Sequence, residues 1–183
     1  GPDIEFTQCL FVQDFTSEEF SRIVNSLAPI TASGDRRLNL TGICMRTQKE
    51  ALHFVGTNGY VLGKYTLDRA LGVEPTDYII PAEPLAKYIS SLEKKDVIQL
   101  QIFKEYVVIK ANTFSLTLRL ILEDYPDFER VIPEAEENTI QVNLDPDQLL
   151  AALSQLEATV PDRSGAITAT VGEKDIEIKA TSV

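Results

Sequence analysis

The feature that most constrains this chain is a pattern that recurs rather than a motif that repeats. A short strand is followed by one amphipathic helix, and the helix by alternating strands; the sequence runs through this order more than twice. In the first pass, Cys9 to Phe15 reads as strand. Thr16 is placed to cap a helix with Glu19 three residues on, and Phe20, Ile23, Val24 and Leu27 fall on one helical face. Pro29 and Gly34 end it. Leu38–Thr47 and Ala51–Leu67 read as strand, with Asn58-Gly59 predicting a tight hairpin turn inside the second stretch.

The second pass begins at Tyr78-Ile79-Ile80. Pro81 or Pro84 suits a first helical turn, and Leu85, Tyr88, Ile89 and Leu92 repeat the helical spacing. Ile98, Leu100 and Ile102 then alternate with Gln99 and Gln101. Tyr106–Ala111 follows, and Phe114 to Leu122 alternates most cleanly of all. After the polar bridge Glu134–Asn138, a third pass starts. Ile140, Val142 and Leu144 alternate, Asp145 caps, Pro146 opens a helix, and Leu149, Leu150, Leu153 and Leu156 form its stripe. Segments 166–171 and 175–180 read as two strands. Each one-sided helix has to lie on a sheet, so the expected class is α+β, with helices on one face of antiparallel sheets.

The expected organisation is residues 7–133 as one domain of two units, 134–137 as linker, and 138–183 as one unit of an incomplete second domain. Gly1-Pro2 is what one common protease leaves behind and 3–6 resembles a translated linker, so 1–6 are read as an appended remnant. No charged-then-apolar leader opens the chain, and no apolar run approaches a membrane span, so a cytoplasmic protein without membrane contact is expected. Cys9 and Cys44 both sit in strand-like stretches and are expected to be buried, reduced thiols.

Charge bears on partners. The net charge is −11, and without Asp3 and Glu5 it is −9, which repels phosphate at long range. The helices carry Glu18, Glu19, Glu83, Glu93, Asp147 and Glu157 against only Arg22 and Lys87. Arg36, Arg37, Lys94, Lys95 and Arg163 lie near helix ends; they are candidates to face DNA, or simply solvated loop charges. His53, the single histidine, lies between Leu52 and Phe54 and reads as structural. No phosphate loop, metal-ligand spacing or nucleophile elbow occurs, so no metal or cofactor is expected; an enzyme working through paired carboxylates is held only in reserve.

Three segments together resemble the bacterial sliding clamp family, the beta subunit of DNA polymerase III. Leu40-Thr41-Gly42 is similar to the family's Leu-x-Gly, and Thr57-Asn58-Gly59-Tyr60-Val61-Leu62 to its Thr-Asp-Gly-His-Arg-Leu hairpin. Tyr125-Pro126-Asp127-Phe128-Glu129-Arg130-Val131-Ile132-Pro133 is similar to its Phe-Pro-Asp-Tyr-x-x-Val-Ile-Pro linker. The resemblance covers residues 10 to about 180, the family's middle domain and the first half of its third. It implies the DNA-clamp fold, head-to-tail rings of three-domain chains around duplex DNA, and a non-catalytic processivity factor for DNA polymerase. It also implies a cleft where partner proteins dock short apolar peptides, carried here by Leu40, Thr57, Gly59, Tyr60, Val61, Leu62, Pro126, Arg130 and Val131. Two departures stand out: Tyr60-Val61 replaces His-Arg, and Asn58 replaces Asp.

The hairpin segment is equally readable as a structural turn, and the 125–133 segment as a rigid connector. Direct binding of double-stranded DNA is expected to be weak, and a homo-oligomer is compatible with the resemblance. The alternative function is a clamp-derived regulatory or adaptor domain that does not encircle DNA, fused to a separate DNA-binding module.

Overall fold

The computed structural model describes residues 8–133, 142–159, 166–172 and 175–181. The chain divides into two compact units, Gly1–Val131 and Ile132–Val183.

Unit 1 contains β1 (Phe11–Thr16), α1 (Ser17–Leu27), β2 (Gly42–Thr47), β3 (Leu52–Thr57) and β4 (Leu62–Leu67). Then come β5 (Thr76–Pro81), α2 (Ala82–Ile89), β6 (Val97–Ile102), β7 (Tyr106–Lys110) and β8 (Ser115–Arg119). α1 starts where the sequence predicts. The Thr16 hydroxyl accepts from the Glu19 amide at 3.1 Å, and Glu18 and Glu19 lie at the positive end of the helix dipole. Its buried face is Phe20, Ile23, Val24 and Leu27; that of α2 is Ala82, Leu85, Tyr88 and Ile89.

The strands do not pair within their own repeats alone. The two sheets run β1-β6-β7-β8 and β4-β3-β2-β5. The strand before α1 therefore joins the strands that follow α2, and the strand before α2 joins those that follow α1. Each exchange is antiparallel over six residue pairs, Phe11↔Ile102 to Thr16↔Val97 and Thr76↔Thr47 to Pro81↔Gly42. Just past β8, Ile121 forms an isolated antiparallel bridge with Ile79 of β5. Both sheets and both helices share one core, which includes Phe15, Phe54, Ile43, Ile80, Ile98 and Leu100. The two sheets are locked together by these exchanged strands.

Three local expectations change. Leu38–Thr41 is not strand: Asp35–Thr41 is a 3-10 segment, held by the Ala32 amide donating to the Leu40 carbonyl (2.8 Å) and the Thr41 hydroxyl to that of Leu38 (2.7 Å). β2 begins only at Gly42, where a Cβ would come within 2.5 Å of Ile79 Cγ2 and 2.8 Å of the Ile80 carbonyl oxygen. Phe114, Leu120 and Leu122 fall outside β8. Cys9 is exposed, ahead of the first strand, whereas Cys44 is buried in β2.

Unit 2 contains α3 (Pro146–Thr159), β9 (Ala166–Val171) and β10 (Ile176–Thr181), with β9 and β10 forming a two-stranded antiparallel sheet. Leu149, Leu153 and Leu156 are half-buried, but Leu150 of the expected stripe is exposed. Val142 and Leu144, expected in a strand, lie outside one; Ile140 is outside the described residues. Among the described residues of unit 2, none is buried. Among all described residues, no helix is long and apolar enough to cross a membrane.

Candidate functional site

The sheet β4-β3-β2-β5 is covered on both faces, which explains why all six residues of β3 are buried. One face meets the helices. The other carries a second core of Leu40, Cys44, Val55, Ile79, Tyr125 and Phe128, with Ala32, Leu62 and Ile121 against it. Residues 125–131 lie along this second face. The Tyr125 hydroxyl donates to the Val55 carbonyl at 3.4 Å. The Phe128 ring, in a 3-10 turn of Phe128–Val131, sits between two cations: Arg46 Cζ is 4.2 Å and Lys64 Nζ 5.5 Å from its centroid. Both cations are themselves paired, Arg46 through two bonds to Asp77 (2.6 and 2.7 Å) and Lys64 to Glu129 (2.9 Å).

Burial shifts three titratable groups on this face toward their neutral forms. Burial, then Asp77, pushes the Cys44 thiol far up, and burial does the same for the Tyr125 hydroxyl. His53, whose Nδ1 is 3.0 Å from the Thr66 hydroxyl, is pushed below its ordinary value by burial and then by the Lys64 ammonium.

At the end of the same sheet, β3 and β4 are joined by a four-residue loop closed by the pair Thr57↔Leu62, longer than the tight turn expected. Thr57 Oγ1 accepts from the Gly59 amide (3.0 Å) and donates to the Val61 carbonyl (2.6 Å). Asn58 Oδ1 accepts from the amides of Tyr60 (2.9 Å) and Val61 (3.0 Å). Gly59 has φ +93°, and a Cβ there would lie 2.7 Å from Arg37 Nη1. Arg37 itself donates to the Asn58 carbonyl at 2.9 Å. Thr57, Asn58 and Gly59 thus build the loop, and Tyr60 (92% exposed) and Val61 (51%) are what it presents.

Of the residues singled out from the sequence, Leu40 and Leu62 share the second core with Phe128, and Thr57 is buried beneath the loop. Pro126 is exposed, Val131 is 67% exposed, and Arg130 is exposed and paired with Asp127 at 2.8 Å. Arg37, read as a candidate to face DNA, donates to the loop backbone. Lys64, Glu129, Arg46 and Asp77 carry no local sequence signal, because each ion pair joins residues far apart in sequence. Arg22 pairs with Glu18 (3.0 Å), Lys87 with Glu83 (2.7 Å) and Lys95 with Glu93 (2.9 Å). Arg36 and Lys94 are exposed, and Arg163 lies outside the described residues.

Residues 14–127 match the family described as DNA polymerase III beta subunit, central domain. The chain belongs to this family. The beta sliding clamp of Streptococcus pneumoniae (strain TIGR4) is 26% identical to it over 126 residues, 67% of this chain and 33% of that one. The chain therefore spans about a third of the length of this curated relative of the DNA polymerase III beta family. Two solved structures share the fold. The DNA polymerase III subunit beta of Borrelia burgdorferi, in complex with a natural product, superposes with TM-score 0.81 at 17% identity, covering 96% of this chain and 45% of that one. The sliding clamp of Pseudomonas aeruginosa bound to griselimycin gives TM-score 0.74 at 18% identity, covering 99% and 52%.

Proposed function

We propose that this chain is a sliding-clamp-type module of DNA replication, a cytoplasmic, non-enzymatic processivity factor that holds DNA polymerase and other clamp-binding proteins by short peptides. On this reading unit 1 is the clamp's middle domain and unit 2 half of the domain that follows. The observation that carries it is the exposure of Tyr60, Val61 and Val131 beside a fixed second core. Turn chemistry accounts for Thr57 to Gly59 and leaves Tyr60 and Val61 without a folding role. An extended peptide with a Leu or Phe anchor would bury these groups. The Tyr60 ring offers a flat apolar face with one hydroxyl, a common interface anchor, and Arg130 could exchange Asp127 for a peptide carboxylate at the rim. That two related clamps were solved with bound small molecules is in keeping with a ligand-binding family.

The test is a titration of a clamp-binding peptide followed by NMR, on the parent and on Val131→Asp. A Kd of about 10–100 μM, roughly 5.5–7 kcal/mol, is expected, with shifts confined to residues 57–62 and 126–131 and lost in the variant. Shifts elsewhere, or none at millimolar peptide, would leave these segments as turn and connector. A second reading, a clamp-derived regulator or adaptor that does not encircle DNA, is favoured by the ion pairs on α1 and α2. Arg22 and Lys87 are each already matched by a glutamate one turn earlier.

A further inference from the structure

On the second face of β4-β3-β2-β5, the strand registers set four polar side chains in one row across the sheet: Asp77, Arg46, His53 and Thr66. The adjacent row is Ile79, Cys44, Val55 and Lys64. The 3-10 turn Phe128–Val131 belongs to the same face. Its Phe128 ring lies against Arg46 and Lys64, and its Glu129 pairs with the Lys64 ammonium. His53 is 6% exposed, with Nδ1 3.0 Å from the Thr66 hydroxyl.

The charges around His53 leave nothing to balance a proton on its ring. It faces Arg46 from β2, Lys64 from β4 and Glu129 from the 3-10 turn, with Asp77 of β5 beyond Arg46 in its row. Both carboxylates are already engaged: Asp77 holds Arg46 through two bonds, and Glu129 holds Lys64. An imidazolium here would be a further cation beside Arg46 and Lys64, and a buried charge without its own partner is strongly destabilising. The depressed pKa of His53, caused first by burial and then by Lys64, agrees with this. Relief requires water at the ring. Strands β2 and β3 are each hydrogen-bonded on both sides and cannot yield locally. The 125–131 segment is held by side chains: the Phe128 ring, the Lys64–Glu129 pair and the 3.4 Å bond from Tyr125 to Val55.

We propose that protonation of His53 releases the 125–131 segment from the sheet while the rest of unit 1 stays folded, which makes this histidine a proton-sensitive latch. Lifting the turn admits water to the imidazolium and moves a cover that no strand ladder fixes. Pro126, Arg130 and Val131 travel with it, so acid would also disperse the proposed peptide surface. That consequence rests on the function proposed above; the release itself does not, and is measured without a peptide.

Cys44 is the reporter, fully buried in the core it shares with Tyr125 and Phe128. In the full chain carrying Cys9→Ser it is the sole thiol. Its rate of reaction with a dipyridyl disulfide, divided by that of a short peptide containing Cys44 at the same pH, measures opening. Uptake of one proton on opening raises the opening constant by at most about ten-fold between pH 7.5 and 5.5, and a rise of at least about three-fold is expected. His53→Gln, which keeps a neutral hydrogen-bonding side chain, should change by less than about 1.5-fold over the same range. Met45→Cys, in a Cys9→Ser, Cys44→Ala background, puts the thiol on the helix side of the same strand. It reports global unfolding and should react at least about ten-fold more slowly than Cys44. NMR of the single histidine ring in the unsubstituted chain should give a titration midpoint below pH 6.5. A midpoint at or above that value, an equal pH response in His53→Gln, or an acid acceleration shared by the thiol at position 45 would each overturn the proposal.

Discussion

The guanidinium of Arg46 lies 4.2 Å above the ring of Phe128, so a residue of the 125–131 segment is held by a cation that the sheet itself has fixed to Asp77. That arrangement makes the segment part of the fold. Phe128→Ala removes a fully buried ring and should cost unit 1 about 3–5 kcal/mol. Urea unfolding should show a lower midpoint at similar slope, and the amides of 127–131 should lose protection first. A change under about 1 kcal/mol would mean the segment is laid on the sheet without anchoring it.

His53 makes part of the stability depend on pH. Its folded pKa lies below the ordinary 6.5, with burial the main cause and the nearby Lys64 and Arg46 charges adding to it against Glu129. A base with a depressed folded pKa favours the neutral form, so its contribution is complete above about pH 6.5 and is lost as pH falls from there toward the folded pKa. Denaturation midpoints between pH 7.5 and 5 should fall more steeply in the parent than in His53→Gln. Parallel curves would show that the histidine is not held neutral.

The ion pairs on the helices predict how DNA binding responds to charge. Arg22→Ala should change duplex affinity little, because Glu18 already neutralises that arginine. Glu18→Gln with Glu83→Gln should free both bases, raise affinity and steepen the salt dependence by up to about two counterions. Fluorescence anisotropy with a labelled duplex at low salt measures both. Submicromolar binding by the parent would show that the loop bases Arg36 and Lys94 outweigh the helical acids.

Unit 2 should open at much lower free energy than unit 1. Its described residues include none that is buried, whereas unit 1 has two apolar cores. Hydrogen exchange should find unit 2 amides near the unprotected limit, while β2, β3 and β6 exchange only through global unfolding. Protection equal in the two units would count against an incomplete second domain.

Much of the fold was legible because it rests on local spacing. The helix faces follow from period 3.6, the start of α1 from the Thr16–Glu19 spacing, and the corner at 58–61 from Asn-Gly. The Glu18–Arg22 and Glu83–Lys87 pairs were also readable, as charges four apart on a helix. The sequence by itself therefore determined the elements, their order, the family, and which apolar residues must be covered. Which strand covers which was decided only by tertiary structure. Phe15 and Ile80 alternate as well toward their own repeat as toward the other, and period 2 carries no partner's address. Pairing with Ile98 and Ile43 is selected by the shared core between the two sheets. Arg37 donates to the hairpin backbone, and Leu40 joins the second core rather than a strand, for the same reason. The contacts that place them, Asn58 and Phe128, lie far away in sequence and meet them only when the chain has folded.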